Sequence, residues 1–138
     1  MRKTTIIAVA LTAALLLAAC SSTDEGASGQ ADGGLGWTRI SSQDLSEMMA
    51  AEDVYLVNVH VPDEGQIPGT DAQISYIEIA SRLDELPTSG APKLVIYCRS
   101  GNMSTQAAQE MVDAGVTGFY ELEGGFIDWQ AAGLPFDA

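Results

Sequence analysis

The chain has 138 residues, 46% of them apolar, which suits one domain with a real core and leaves no room for two. Six Lys and Arg stand against 19 Asp and Glu, a net charge of −13. Such a surface repels nucleic acid and anionic headgroups, so no nucleic-acid partner is expected.

The first predicted element is a leader over residues 1–19. Arg2 and Lys3 form a short positive start, and Ile6 to Ala19 is an uncharged, mostly apolar run. A run of this length is short for a membrane span, which needs about 20 residues, and fits the apolar region of a secretory signal. Leu17-Ala18-Ala19-Cys20 resembles a bacterial lipobox. The resemblance implies cleavage before Cys20, lipidation of that cysteine (palmitate among the acyl chains) and anchoring on the extracytoplasmic face of the cell membrane. A plain signal peptide and a short membrane helix are the alternatives. Removing Arg2 and Lys3 leaves four basic residues against 19 acidic ones, a net of −15. Residues 20–36 then read as a lipidated cysteine followed by a flexible tether of Ser, Thr, Gly, Ala, Gln and acids. With Cys20 acylated, Cys98 is the only free thiol and no internal disulfide is possible.

The folded part spans residues 37–138. Trp37 to Ile40 is extended, and Ser41 or Ser42 caps a helix through Met49 that Asp53 breaks. Val54 to Val59 is short, apolar and β-branched, as a buried parallel strand requires. Val61 to Thr70, with two prolines and two glycines, predicts a loop. Ile74 to Leu86 predicts a helix or helical turns ended by Pro87. Lys93 to Tyr97 is a second buried strand, Ser104 to Ala114 a helix stopped by Gly115, and Val116 to Leu122 holds a third strand. Gly124 and Gly125 turn the chain into a last helix over Phe126 to Ala132. Strands alternating with helices predict an α/β fold, a parallel sheet covered on both faces. Ligand sites in such sheets lie at the carboxyl ends of strands, which points to the loop from Cys98 to Met103.

In that loop Cys98 follows a buried strand and faces the start of a helix. A tight turn aims backbone N–H groups inward, and with the helix start they favour an anionic sulfur. Arg99 adds a positive charge, and Gly101 permits the turn. A nucleophilic cysteine needs such donors and also access. The competing reading is a small apolar core residue at a strand end.

Three blocks in order resemble the rhodanese-like family of single-domain sulfurtransferases. They are Cys98-Arg99-Ser100-Gly101-Asn102-Met103-Ser104, Gly65-Gln66-Ile67-Pro68-Gly69, and Leu122 to Pro135 with its Glu123-Gly124-Gly125 turn. The resemblance implies a three-layer sandwich with a mostly parallel five-stranded sheet flanked by helices. It also implies a Cys98 thiolate that takes sulfane sulfur from a small sulfur-containing donor and passes the persulfide sulfur to a thiol acceptor. Backbone N–H groups of Arg99, Ser100, Gly101, Asn102 and Met103 would cradle it, with no metal or organic cofactor. Four positions depart from the family pattern. Gln66 replaces the usual His, Met103 the usual terminal basic residue, and Asn58-Val59-His60 the usual Asp-Val-Arg. Without a cation at the loop's end, a thiol-based donor is expected over thiosulfate.

His60, the only histidine, is expected in a structural or rim role; Phe126, Trp129 and the scattered methionines in packing; and Glu123 and Asp128 on the surface. Three other functions compete with sulfur transfer. A non-catalytic interaction module at the membrane surface would use the same fold to hold a protein partner. A phosphatase needs Arg where Ser104 stands. An envelope redox sensor would need an external thiol to pair with Cys98.

Overall fold

The computed structural model describes residues 34–138. The leader, Cys20 and nearly all of the tether lie outside the described residues. Five strands form one sheet: β1 (Trp37–Ile40), β2 (Val54–Asn58), β3 (Thr70–Gln73), β4 (Lys93–Tyr97) and β5 (Phe119–Leu122). Their order is β1-β5-β4-β2-β3, and every ladder is parallel rather than mostly so. Three α-helices, α1 (Ser42–Ala51), α2 (Asn102–Asp113) and α3 (Gly125–Ala131), complete the expected sandwich.

Strand periodicity sorts the core into two layers, because successive side chains point to opposite faces. Val57, Val59, Ile96, Cys98 and Phe119 pack with Ala107, Ala108 and Met111 of α2. Leu56, Val95, Tyr97 and Leu122 pack with Leu45 of α1 and with Phe126 and Trp129 of α3. Ser41 supplies the first cap. Its hydroxyl accepts from Asp44 N–H at 3.1 Å and the Asp44 carboxylate accepts from Ser41 N–H at 3.0 Å, a reciprocal box.

The structure adds one strand and decides one alternative. β3 begins at Thr70, the last residue of the predicted loop, and Ile74 to Leu86 takes the helical-turn option as two single 3₁₀ turns, Ile79–Ser81 and Leu83–Glu85. β3 reads Thr-Asp-Ala-Gln, with Asp71 and Gln73 exposed on an edge, so it carries no apolar run to announce it. Asp71 instead accepts from Leu56 N–H at 2.8 Å, where the β2–β3 register shifts.

Candidate active site

β4 ends at Tyr97 and α2 starts at Asn102, two residues before the predicted start, so four residues make the turn. Gly101 is the N-cap residue of α2 with φ +90°, a conformation open to glycine and strained for other residues. The turn is pinned from the opposite layer. The N–H groups of Phe126 and Ile127, in the first turn of α3, donate to the carbonyls of Cys98 (2.9 Å) and Arg99 (3.0 Å). A Cβ on Gly125 would overlap the Cys98 carbonyl oxygen, which is why a glycine stands there.

Cys98 is 1% exposed, so the access expected of it is not met in this state. Its side chain belongs to the α2-side core, as a cysteine at the tip of a buried strand does. Its sulfur nevertheless has polar partners. Gly101 N–H donates to Sγ at 3.1 Å, and Sγ lies 3.4 Å from Ser104 Oγ. Of the five loop N–H groups expected to gather on the sulfur, only that of Gly101 is bonded to it. Those of Arg99, Ser100, Asn102 and Met103 have no protein acceptor among the described residues.

Arg99, Ser100 and Asn102 are exposed, and Met103 packs half-buried against the core. The Arg99 guanidinium turns toward Glu64, with Nε 3.4 Å from Oε2. The same Oε2 lies 2.5 Å from His60 Nε2. The buried His60 ring also stands edge-on to Phe126, which fits the structural option of the expected structural or rim role. Asn58 accepts from His60 N–H at 2.9 Å and donates to Gly65 carbonyl at 3.2 Å. A neutral amide thus ties β2 to the 61–69 loop by serving both directions. Trp129 and Phe126 are core residues; Glu123 and Asp128 are exposed.

Sequence reasoning missed Glu121. It is 1% exposed, accepts from Ser104 Oγ at 2.5 Å, and has Arg39 Nε 3.3 Å from its second oxygen. That contact is close enough for an ion pair but lacks hydrogen-bond alignment, leaving Glu121 Oε2 and Arg39 Nε without hydrogen bonds. Burial raises the Glu121 carboxyl above the ordinary glutamate range, against the opposing pull of Ser104 and Arg39. Strand alternation was the available signal. Glu121 lies two residues after the inward Phe119 on the same face, and Arg39 is its register partner on β1.

Residues 41–132 match the family model described as Rhodanese-like domain. The chain belongs to the rhodanese-like family. A protein of Allochromatium vinosum named "Sulfurtransferase" is 39% identical over 103 residues, covering 72% of this chain and 94% of that protein. An uncharacterized protein of Synechocystis is 37% identical over 98 residues, 70% of this chain, and the match spans only 54% of that longer protein. Among solved structures, a rhodanese-related protein from Thermoplasma volcanium superposes with a TM-score of 0.59 at 26% identity, covering 71% of this chain and 95% of that one. For this rhodanese-like domain the comparisons support a sulfurtransferase-like role at the level of the family.

Proposed function

We propose that the chain carries sulfane sulfur as a Cys98 persulfide and passes it to a thiol at the cell envelope, held there by lipid on Cys20. The observation that carries the chemistry is the Cys98 turn. One N–H already donates to Sγ, and four neighbouring N–H groups lack acceptors, a donor set suited to an anionic sulfur. In the loading step the Cys98 thiolate attacks the outer sulfur of a thiol persulfide, RS–SH. The donor S–S bond breaks, a new S–S bond forms on Cys98, and RS⁻ leaves and takes a proton from water. An acceptor thiolate then attacks the same sulfur and regenerates the Cys98 thiolate, with no net oxidation. The donor reaches the buried sulfur by local opening of the 98–101 turn, where Arg99 and Ser100 are exposed.

Thiol persulfides fit better than thiosulfate. Met103 offers no charge, Arg99 is turned to Glu64, and exposed Glu123 and Asp128 repel a dianion. In intact-mass measurements a thiol persulfide should add one sulfur atom to the chain faster than thiosulfate does, and Cys98→Ser should gain none. Absence of an adduct from either donor would refute the reading. The burial of Cys98 motivates a second reading, a non-catalytic interaction module. Its signature is unimpaired function in a Cys98→Ser strain. The anchor is tested separately: Cys20→Ala should move the protein from the membrane fraction to the soluble one.

A further inference from the structure

Two groups, from α2 and β5, line up behind the Cys98 sulfur. Ser104 Oγ is 3.4 Å from Sγ and 2.5 Å from Glu121 Oε1, and all three residues are buried. A hydroxyl has one proton. Two acceptors compete for it, the Gly101 carbonyl oxygen at 3.2 Å and Glu121 Oε1 at 2.5 Å. With Glu121 ionised, the shorter, charge-assisted contact takes the Ser104 O–H, which leaves a Ser104 lone pair facing Cys98. Between these two groups the sulfur is then the donor, its S–H pointing to Ser104. The chain S–H···O–H···carboxylate is therefore directional.

We propose that Ser104 and Glu121 form the path by which Cys98 gives up its proton, Glu121 being a positioning residue that acts through Ser104. In one concerted step the Cys98 S–H bond breaks and its proton binds Ser104 Oγ, while the original Ser104 proton moves to Glu121 Oε1. The negative charge passes from the carboxylate to sulfur, and nothing is oxidised. Every hydrogen bond in the chain reverses. The new thiolate accepts from both Ser104 O–H and Gly101 N–H. Glu121 is kept proton-receptive by burial, which raises its carboxyl. The other charged groups around it are Arg39 from β1, Glu123 in the turn that follows β5, and Asp128 of α3, which lines the same cleft of about 460 Å³. Arg39 is held there by Nη2 donating to Thr105 Oγ1 at 3.1 Å. The cleft gives the proton on Glu121 a route to water.

This inference rests on Cys98 reacting as a nucleophile, so its test uses alkylation by iodoacetamide, which needs no sulfur donor. The rate of Cys98 alkylation is followed against pH in the full chain. Glu121→Gln keeps the shape but cannot take a proton. It should slow the reaction at neutral pH by roughly a hundredfold, the low end for a general base, and recover toward the parent rate as pH rises and the thiol ionises unaided. A packing defect would instead change access to the buried sulfur by a similar factor at every pH. Arg39→Gln, which touches neither Cys98 nor Ser104, removes the cation that opposes protonation of Glu121. It should shift the acid limb of the profile to higher pH. A Glu121→Gln profile that superimposes on the parent's, or an Arg39→Gln acid limb that stays in place, overturns the proposal. Should Glu121→Gln fail to fold, the Arg39→Gln profile decides alone. Alkylation with the expected profile but no sulfur adduct from any donor would instead refute the sulfur-carrying reading and leave the proton path standing.

Discussion

Replacing Gly125 with alanine isolates how the α3 start holds the Cys98 turn. Gly125 has φ +61°, where an L-residue costs about 1–2 kcal/mol. Gly133, with φ +75° and no atom within 4 Å of a built Cβ, carries that cost alone and serves as the control. At Gly125 the new Cβ would also overlap the Cys98 carbonyl oxygen and sit 2.5 and 2.6 Å from the Arg99 carbonyl carbon and oxygen. These are backbone atoms, so the turn or the helix must move. The bonds from Phe126 and Ile127 N–H to those carbonyls are then stretched or lost, at about 0.5–1.5 kcal/mol each. Together the expected loss is about 2–5 kcal/mol for Gly125→Ala against about 1–2 for Gly133→Ala. For a domain of about 100 residues each kcal/mol lowers the melting temperature by about 4–8 °C. Urea unfolding of both variants reads the difference, and sulfur loading of Cys98 should fall only in Gly125→Ala. Equal midpoints for the two variants, with loading intact in both, would refute the reasoning.

The fully buried Tyr97 hydroxyl accepts from Ile67 N–H at 3.0 Å and pairs with Thr70 Oγ1 at 2.7 Å, so Tyr97→Phe strands a buried N–H. It should cost about 1–3 kcal/mol in urea unfolding without changing the slope. Glu121 makes stability pH-dependent with a defined sign. Burial raises its carboxyl in the folded state, so the folded chain binds this proton more tightly than the unfolded one. Its favourable contribution is complete below the unfolded-state value and is lost as pH rises through the raised folded value. Parallel urea curves should therefore show Glu121→Gln gaining stability relative to the parent from acid toward neutral pH; a difference that is flat with pH would contradict it.

The central strands and all three α-helices were legible because each buries an apolar face, and burial writes a period into the sequence. β3 was not, because an edge strand of Thr, Asp, Ala and Gln is held by backbone pairing and by Asp71 rather than by apolar side chains. The 3₁₀ turns were foreseen only as one of two options, since Ile79 alone anchors the first of them in the core. At the site, Cys98 and its turn followed from a strand tip, a glycine and a helix start. The burial of the sulfur was contained only in the competing reading of a core residue at a strand end, because it depends on how α2 lies against the sheet. Glu121 was overlooked for a similar reason. An acid among Phe119, Tyr120 and Leu122 reads as a surface residue unless the strand's inward face and the parallel partner Arg39 are already fixed.

Sulfur carriage by Cys98 is tested most directly by the intact mass of the chain before and after a thiol persulfide, and again after adding excess acceptor thiol. The account predicts a gain of one sulfur atom, localised to the Cys98 peptide and absent in Cys98→Ser, followed by its loss to the acceptor. A mass that never changes, or an adduct that no thiol removes, would contradict it.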